Sequence, residues 1–330
     1  MKIIQSLTVL LLCVCNIHCS LPLEKIPVVI DTDANNELDD QHALAYLFMN
    51  GTTFDVKGVT INATFGGGKV DEQYAEACRI VHLCNVTEIP VKKGADGNFE
   101  TIAPTVAQTI FDGSEAVDFI ISQAKSMKNK KLVVIAVGKL TNIALAVKKE
   151  PFITDKIRLV WLGSNYPDPG EYNLENDIPS MNYLLDTNIE FEIVTVRYGK
   201  PSGTGAVIAF KEDIMKKMPG KGPVAKEPVI GRHGDKFRCF GDYSVNLFEH
   251  CECFGNPPGR SLFDMAAVAI VKNPSWAEVK TIPAPIMIER KWVERPENKR
   301  TVKLWENFDV KAILADFYLT MDHYTLIDLR

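Results

Sequence analysis

Four aspartates lie close together near the start of the chain. Asp31 and Asp33 follow the apolar run 26–30, and the pair Asp39-Asp40 comes six residues after Asp33. Carboxylates repel one another and resist transfer out of water, so a packed group of four needs a compensating cation. The spacing therefore predicts a metal-binding loop that takes part in catalysis.

The sequence around these aspartates predicts the elements that hold them. Residues 26–30 form an apolar run typical of a buried strand, and the apolar-periodic stretch from Ala43 to Phe48 predicts a helix that opens at Asp39-Asp40. Ligand sites in α/β proteins form at the carboxyl ends of strands. We therefore expect the aspartates to lie at the edge of a sheet, between a buried strand and a helix.

Strand-like and helical segments alternate along most of the chain. Strand-like runs lie at 56–61, 132–137, 159–162 and 191–196, and helical periodicity lies at 71–83, 143–149 and 263–271. This alternation predicts an α/β fold with a single open, mostly parallel sheet and helices on both faces.

Three further segments lead to more local expectations. The irregular residues 200–260 are rich in Gly, Pro, Lys and His and should form a cap region of helices and loops. Residues 286–293 and 299–305 should form a β-hairpin around the turn-like Pro296-Glu297-Asn298. Thr141-Asn142 should cap the helix that follows it.

The composition is that of an ordinary globular protein with a small-molecule ligand. Of 330 residues, 46% are hydrophobic and 24% are charged, and the net charge is −5. This acidic balance argues against nucleic-acid polymers as partners. No segment after residue 20 reaches the ~18 consecutive apolar residues of a membrane span. The five cysteines after that point show neither a complete set of pairs nor a zinc-binding spacing, which favours free or buried thiols.

The N-terminal segment predicts export of the protein. Lys2 precedes an apolar stretch at 7–14, and small or polar residues continue to Ser20. This pattern is typical of a secretory signal peptide over residues 1–20, which leaves 21–330 as one catalytic domain. The expected location is secreted or periplasmic. Acylation of Cys19 as a lipoprotein is less favoured, because Ile17-His18 suits a lipoprotein cleavage site poorly.

The aspartate motif resembles the signature of the inosine-uridine preferring nucleoside hydrolase family, Asp-x-Asp-Pro-Gly-x-Asp-Asp, with a loop two residues longer here. Three later segments follow in the family's order. Residues 137–146 resemble its Gly-Pro-Leu-Thr-Asn-Ile-Ala segment, and residues 264–269 resemble its Asp-Pro-x-Ala-Val-Ala helix. Between them, Asn165 with Glu171-Tyr172-Asn173 resembles the family's Asn…Glu-Phe-Asn. The resemblance spans roughly 27–274, and the longer loop is typical of a divergent branch.

The resemblance implies a role for each of these residues. It implies that a metal is bound by Asp33, Asp40, the backbone carbonyl of Val137 and Asp264. Asp33 would also be the general base, since a water shared by a metal and a carboxylate loses its proton easily. The ribose hydroxyls would be bound by Asp39, Asn165, Glu171, Asn173 and Asp264. Asp31 would orient the loop from behind.

The implied activity is hydrolysis of the N-glycosidic bond of ribonucleosides, giving ribose and a free base. An irregular set of oxygen ligands suits Ca²⁺ better than Mg²⁺ as the cofactor. Two alternatives stay open: the same metal and ribose site acting on another riboside, and a nucleoside- or ribose-binding protein without turnover. Members of the family are commonly dimers or tetramers, so a homodimer or homotetramer is the expected assembly.

The chain departs from the family at the position that serves the leaving base. Members that cleave purine nucleosides commonly have a histidine directly before the aspartate of the last motif, where this chain has Phe263. Phe263 is a candidate for stacking on the base or lining the pocket. Either the enzyme favours bases that leave without strong protonation, or a leaving-group acid comes from elsewhere. The candidates for such an acid are His233, His250, Arg232, Arg260, Tyr243 and Asp112. In the glycine-rich turn at 62–68, Asn62 is a candidate for a ribose contact.

Overall fold

The structure, a computed structural model, describes residues 24–328. The predicted signal peptide and Cys19 lie outside the described residues. Within residues 24–328, no helix combines the length and the apolar character needed to cross a membrane.

The strands of the described chain are short to medium in length. In chain order they are β1 (Ile26–Thr32), β2 (Phe54–Ile61), β3 (Val91–Lys93), β4 (Leu132–Ala136), β5 (Ile157–Leu162), β6 (Glu190–Val194), β7 (Ile208–Phe210), β8 (Val229–Ile230), β9 (Lys236–Phe237), β10 (Gly259–Ser261), β11 (Glu278–Pro283), β12 (Ile286–Ile288), β13 (Lys291–Val293) and β14 (Thr301–Glu306).

The helices alternate with these strands over most of the chain. In chain order they are α1 (Asp39–Phe48), α2 (Val70–Leu83), α3 (Phe99–Ile102), α4 (Ser114–Ser126), α5 (Thr141–Lys149), α6 (Tyr172–Asn176), α7 (Ile178–Leu185), α8 (Lys211–Lys217), α9 (Phe240–His250), α10 (Phe263–Lys272) and α11 (Val310–Asp322). Short 3₁₀ helices lie at Ala103–Thr105, Pro151–Lys156, Thr204–Ala206 and Pro274–Trp276.

Eight strands form one open sheet in the order β11-β14-β6-β5-β4-β1-β2-β3. Every neighbouring pair is parallel except β11 and β14, which are antiparallel. The predicted single, mostly parallel sheet is therefore confirmed. β2 lies on one side of β1 and β4 on the other, so the strand order reverses at β1. The crevice at such a reversal is the usual ligand site of an open α/β sheet.

Both faces of the sheet are covered, as expected of parallel strands. Along β1, Val28 and Ile30 pack into one apolar cluster, with α1, α9, α10 and α11, and Val29 packs into a second, with α4, α5 and α7. Every residue of α1 is buried. Because α1 is buried on all sides, its first turn, which carries Asp39 and Asp40, lies inside the protein.

The predicted hairpin at 286–305 is wrong. β12 and β13 form a small hairpin of their own, with Glu289 and Arg290 at positive φ in the turn. β14 lies instead between β6 and β11, antiparallel to β11. A local pattern identifies a strand but not its partner, which here is set by the burial of Leu304 and Trp305 in the main sheet.

Candidate active site

Asp31 is buried at the end of β1 and is held by three side-chain donors. The hydroxyl of Thr60 donates to its Oδ2 at 2.6 Å, the amide of Asn62 donates to Oδ1 at 2.7 Å, and the amide of Asn142 donates to Oδ2 at 2.8 Å. Burial raises the pKa of Asp31 to about 6, and the three donors oppose that rise. Asp31 thus ties β1 to β2 and α5, which are the contacts of a residue that orients the loop from behind.

Asn142 and Thr141 do not cap α5, so the capping prediction is wrong. The N-cap residue is Leu140, which makes no side-chain cap bond. Besides its bond to Asp31, Asn142 accepts from the backbone N–H of Ala95 at 2.9 Å, and the Thr141 hydroxyl donates to Asp177 at 2.5 Å. Tertiary partners outcompete the local capping bond here.

Asp33 has one oxygen engaged and one oxygen free of protein partners. Its Oδ2 accepts from the hydroxyl of Thr64 and, at 3.4 Å, from the amide of Asn36. Its Oδ1 is buried and has no hydrogen-bond partner within residues 24–328. Burial, with the charges of Asp31 and Glu171, raises the pKa of Asp33 to about 7. A buried carboxylate oxygen without a partner is costly, and a cation or a water would satisfy it.

The backbone beside Asp33 is closely packed at Gly138, just after β4. A β-carbon at this position would lie 2.9 Å from Asp33 Oδ1 and 2.6 Å from the amide of Asn62. Only glycine therefore fits without displacing the carboxylate. The close approach brings the end of β4, including the Val137 carbonyl, beside the aspartate loop.

Asp39, Asp40 and Asp264 form a compact acidic group. Their carboxylate oxygens lie within 4.8 Å of one another, and all three residues are buried. Asp39 and Asp40 lie in the first turn of α1 and Asp264 in the first turn of α10, where helix dipoles favour negative charge.

The surroundings of the three carboxyls nevertheless disfavour their ionised forms. Burial and the charge of Glu37 raise the pKa of Asp39 to about 8. Burial and mutual repulsion hold the pKa values of Asp40 and Asp264 well above their usual range. A hard cation would offset that repulsion, so the donor chemistry fits a metal ion.

These groups open into one cavity of about 560 Å³, a volume typical of small-molecule sites. Six acids line it: Asp33, Glu37, Asp39, Asp40, Glu171 and Asp264. Four aromatic side chains also line it: Tyr172, Tyr198, Phe254 and Phe263. The cavity thus combines an acidic end with aromatic walls.

The profile of the inosine-uridine preferring nucleoside hydrolase family matches residues 28–316. The chain belongs to this family.

The relatives of the chain agree with that assignment. An inosine-uridine preferring nucleoside hydrolase from Crithidia fasciculata is 26% identical over 179 residues, 49% of this chain and 55% of the relative. A probable uridine nucleosidase from Oryza sativa subsp. japonica is 22% identical over 223 residues, 60% of this chain and 65% of the relative. The alignments thus span between half and two thirds of these relatives.

Solved structures extend the similarity of fold to nearly the whole molecule. A plant nucleoside hydrolase superposes with a TM-score of 0.69 at 16% identity, covering 90% of this chain and 99% of the other. At that identity the match establishes the nucleoside hydrolase fold, with its open sheet and covering helices.

The predicted metal ligands line one cavity but are not equally close. Asp33, Asp40, Val137 and Asp264 all line it. The three carboxylates that lie closest to one another, however, are those of Asp39, Asp40 and Asp264, a group that does not include Asp33. The Val137 carbonyl accepts the amide of Asn173 at 2.8 Å. A carbonyl oxygen has two lone pairs, so this bond leaves one for a cation.

The predicted ribose-binding residues are brought together only in part. Glu171 and Asn173 line the cavity, and Glu171 Oε2 accepts from the backbone N–H groups of Ser164 and Leu174, each at 2.9 Å. Asn165 is not among the lining residues: its amide donates to Gly170, and its oxygen accepts from the Tyr198 N–H at 3.3 Å. Asn62 is also absent from the lining, since its amide lies behind the loop on Asp31.

The predicted leaving-group acids differ in whether they line the cavity. His233 and His250 stack on each other with ring centroids 4.3 Å apart, and neither lines the cavity. Tyr243 donates to Glu76, Asp112 accepts from the N–H groups of residues 96 and 97, and Arg232 donates to the carbonyl of Asn35. Of the six candidates, Arg260 alone lines the cavity. Phe263 also lines it, edge-on to Tyr198 at 5.8 Å.

Sequence reasoning missed several residues of this site. Thr64 donates to Asp33, and the Tyr172 hydroxyl in turn donates to Thr64 at 3.3 Å. Tyr198 lies just beyond β6 and Phe254 lies in the cap region. The only sequence signals were the glycine-rich turn that contains Thr64 and the strand end before Tyr198, because single aromatics or hydroxyls in loops carry no motif.

The lengthened aspartate loop is fastened at both ends of its insertion. The backbone N–H of Asn35 donates to Gln73 at 2.6 Å, and its amide donates to Gly67 at 2.7 Å. Glu37 accepts from Arg260 Nε at 3.0 Å. These bonds join the loop to the glycine-rich turn on one side and to β10 on the other.

Proposed function

We propose that this protein hydrolyses the N-glycosidic bond of ribonucleosides in a Ca²⁺-dependent reaction, with Asp33 as general base. The observation that carries the proposal is the buried, unpartnered Oδ1 of Asp33 beside the acidic group of Asp39, Asp40 and Asp264. The names of the relatives, nucleoside hydrolase and uridine nucleosidase, support the same bond as the target.

The cation would be held by Asp33, Asp40, Asp264 and the Val137 carbonyl, with Asp39 adjacent. All of these ligand atoms are oxygens on separate loops and helix ends, an irregular set that suits Ca²⁺. When bound, the cation supplies positive charge that makes a neighbouring water easier to deprotonate.

In this proposal Asp33 takes the proton of that water. Thr64 and Asn36 hold its Oδ2, whereas its buried Oδ1 has no hydrogen-bond partner within residues 24–328. Burial raises the pKa of Asp33 to about 7, and a bound cation would oppose that rise and favour the ionised form that acts as a base. Asp39, Glu171 and Asn173 are available for the ribose hydroxyls.

The rest of the cavity suits the sugar cation and the base. As the glycosidic bond breaks, positive charge grows on the ribose ring, and the acidic lining stabilises it. The aromatic side chains of Tyr172, Tyr198, Phe254 and Phe263 offer faces on which a nucleobase packs.

We also propose that residues 1–20 are a signal peptide that directs export of the protein. N-terminal sequencing of the protein from its natural host would check whether this segment is removed.

Hydrolysis of p-nitrophenyl riboside tests the proposal, because its leaving group needs no protonation. We expect turnover by the Ca²⁺-loaded protein, loss of turnover with chelator and recovery when Ca²⁺ is restored. Asp33→Ala should lower kcat by about 10²–10⁴. Asp155→Ala, a change at an exposed residue, is the matched control and should leave the rate unchanged.

The opposite results separate the alternatives. A Ca²⁺-loaded protein that binds ribose but shows no turnover would be a binding protein. A protein that cleaves p-nitrophenyl riboside but neither inosine nor uridine would act on another riboside. Turnover that survives both Asp33→Ala and chelation would contradict the proposed base and the proposed metal.

A further inference from the structure

The cavity poses an electrostatic problem for the departing base. When the glycosidic bond breaks, its electron pair goes to the base nitrogen, which becomes negative unless it receives a proton. Six acidic side chains line the cavity, and each one that is ionised would repel that charge. Among the described lining residues there is no histidine or lysine, and Arg260 is the sole cation.

Arg260 is rigidly held at the aromatic part of the cavity. It lies in β10, and its side chain is 18% exposed. Its Nε donates to Glu37 at 3.0 Å, its Nη2 forms an ion pair with the same carboxylate, and its Nη1 donates to the Glu252 carbonyl at 3.3 Å. Its guanidinium carbon lies 5.1 Å from the ring centre of Phe254.

This arrangement leaves donors for a ligand. A guanidinium has five N–H groups. Glu37 and Glu252 engage three of them, and within residues 24–328 the remaining two on Nη1 and Nη2 have no protein partner. Since the neighbouring Phe254 lines the same cavity, a base packed on the aromatic walls would come within reach of these donors.

We propose that Arg260 is a catalytic residue that stabilises the departing base as an anion, and that Glu37 positions it. The inference rests on the proposed nucleoside hydrolysis and adds the group that serves the leaving base. Arg260 gives up no proton, because a guanidinium stays protonated in proteins. It offers fixed positive charge and two N–H donors to oxygen or nitrogen acceptors on the base.

The step balances without a protein acid. The bond between the anomeric carbon and the base nitrogen breaks, and its electron pair leaves with the base. Water adds to the anomeric carbon and gives its proton to Asp33, which later releases it to solvent. The base anion, held by Arg260 until it departs, takes a proton from solvent, so the products are ribose and the neutral base.

The same assignment accounts for two departures from the family pattern together. Phe263 stands where purine-cleaving members commonly have a histidine, so that proton donor is missing. The lengthened aspartate loop supplies Glu37, which holds the guanidinium at the cavity. The guanidinium of Arg260, held by Glu37, thus takes the place of a proton donor. The ion pair between Arg260 and Glu37 also connects the aspartate loop to the part of the cavity that would hold the base.

The test compares two leaving groups in an Arg260→Gln variant of the Ca²⁺-loaded protein. For inosine and uridine, whose bases are poor leaving groups, we expect kcat to fall by about 10²–10³, as when one preorganised transition-state donor is removed. For p-nitrophenyl riboside, which leaves readily as an anion, the fall should be less than about tenfold. The loss should appear in kcat more than in KM, because the charge develops in the transition state.

Three further variants strengthen the comparison. Arg260→Lys keeps the charge without the planar fork and should give intermediate rates. Glu37→Gln should shift the ratio of nucleoside to p-nitrophenyl riboside rates in the same direction, by less. Arg290→Gln, which removes a surface arginine paired with Glu175, is the matched control and should leave both rates unchanged.

The outcomes distinguish this inference from the proposed function. If the wild type cleaves neither substrate, the proposed function fails and this inference fails with it. If the wild type cleaves both and Arg260→Gln lowers both rates equally, or neither, nucleoside hydrolysis stands and the role of Arg260 is overturned. A purely structural role would lower both rates together, and p-nitrophenyl riboside turnover itself reports whether the variant is folded.

Discussion

The four aspartates at the end of β1, in the following loop and at the start of α1 have different environments. These differences indicate a different role for each of them. Both oxygens of Asp31 accept hydrogen bonds, from Thr60, Asn62 and Asn142, and Asp31 does not line the cavity. Asp33 keeps Oδ1 free, and burial raises its pKa to about 7. Asp39 and Asp40 join Asp264 across the cavity. A chemically uniform acidic motif thus divides into an orienting residue, a proposed base and proposed cation ligands.

At the residue scale, Thr64 should tune the proposed base. Its hydroxyl donates to Asp33 and stabilises the ionised form, which lowers the pKa of that carboxyl against the opposing effect of burial. Thr64→Val removes the donor at nearly constant shape, so the pKa of Asp33 should rise. Hydrogen bonds to charged groups contribute about 1.5–3 kcal/mol. The acid limb of the kcat profile should therefore move up by about one pH unit or more.

The check is the pH dependence of p-nitrophenyl riboside hydrolysis by wild type and Thr64→Val at saturating Ca²⁺. Because a base works only when ionised, the variant should lose rate at low pH and recover it at high pH. Thr101→Val, whose hydroxyl donates to a backbone carbonyl outside the site, serves as control. An acid limb that stays in place, or moves down, would show that Thr64 does not act on the base.

At the scale of elements, the parallel sheet holds the site because its strands are joined by side chains as well as by backbone. Glu192 on β6 is fully buried and accepts from Arg158 on β5 at 2.9 and 3.0 Å, from Lys303 on β14 at 2.9 Å and from Trp305 on β14 at 2.8 Å. Three adjacent strands therefore meet at one carboxylate. This cluster supports the half of the sheet that carries Glu171, Asn173 and Tyr198.

The Glu192 cluster gives a stability prediction with a definite pH dependence. Burial alone would raise the pKa of Glu192, but the hydrogen bonds and charges of Arg158 and Lys303 outweigh it and hold the pKa below its ordinary value. The stabilisation is therefore present above the unfolded pKa near 4.5 and is lost as the pH falls through the folded pKa. Glu192→Gln should lower the free energy of unfolding by about 3 kcal/mol at neutral pH.

Urea unfolding of wild type and Glu192→Gln at pH 7, 5 and 3.5 measures this difference. The gap in unfolding free energy should be similar at the two higher pH values and smaller at the lowest. Glu212→Gln, at an exposed position, should stay within about 0.5 kcal/mol of wild type at each pH. A gap that is small at pH 7, or that widens on acidification, would contradict the assigned role.

At the scale of the whole molecule, the site joins segments that are far apart in sequence. Asp33 and Asp40 follow β1, Val137 follows β4, and Asp264 begins α10. A cation bound by all of them would link these distant segments in the folded state and would bind the unfolded chain far more weakly. Binding should therefore stabilise the fold as a whole.

Calcium should raise the melting temperature. At a free concentration a hundred times the Kd, binding stabilises the folded state by about 2.7 kcal/mol, which corresponds to a rise of roughly 5 °C in a protein of this size. Chelator should reverse the rise. Asp264→Asn should abolish the Ca²⁺-dependent part of the shift, while Asp155→Asn, at an exposed position, should retain it. Equal melting temperatures with Ca²⁺ and with chelator would count against a structural and catalytic Ca²⁺.

Most of the fold was predictable because it follows from local patterns. Apolar runs of strand length alternating with helical periodicity permit few arrangements other than a covered parallel sheet, and the observed sheet is mostly parallel and covered by helices. The hairpin at 286–305 failed because the partner of β14 is β11, and the choice between strands depends on the completed sheet. The family motifs likewise marked the aspartates, Val137, Asn165, Glu171, Asn173 and Asp264, all of which line the cavity except Asp31 and Asn165.

The sequence by itself determined which chemical groups lie at the carboxyl edge of the sheet. These are aspartates, a backbone carbonyl and side-chain amides, each of which lies near the end of a strand or the start of a helix. Only the tertiary structure decided which oxygens are free, because hydrogen-bond partners such as Thr64, Asn142 and Asn173 come from distant segments. It also decided that Arg260, rather than His233 or His250, reaches the cavity. No motif encodes that choice, since it depends on how the cap region packs over the sheet and on the single ion pair with Glu37.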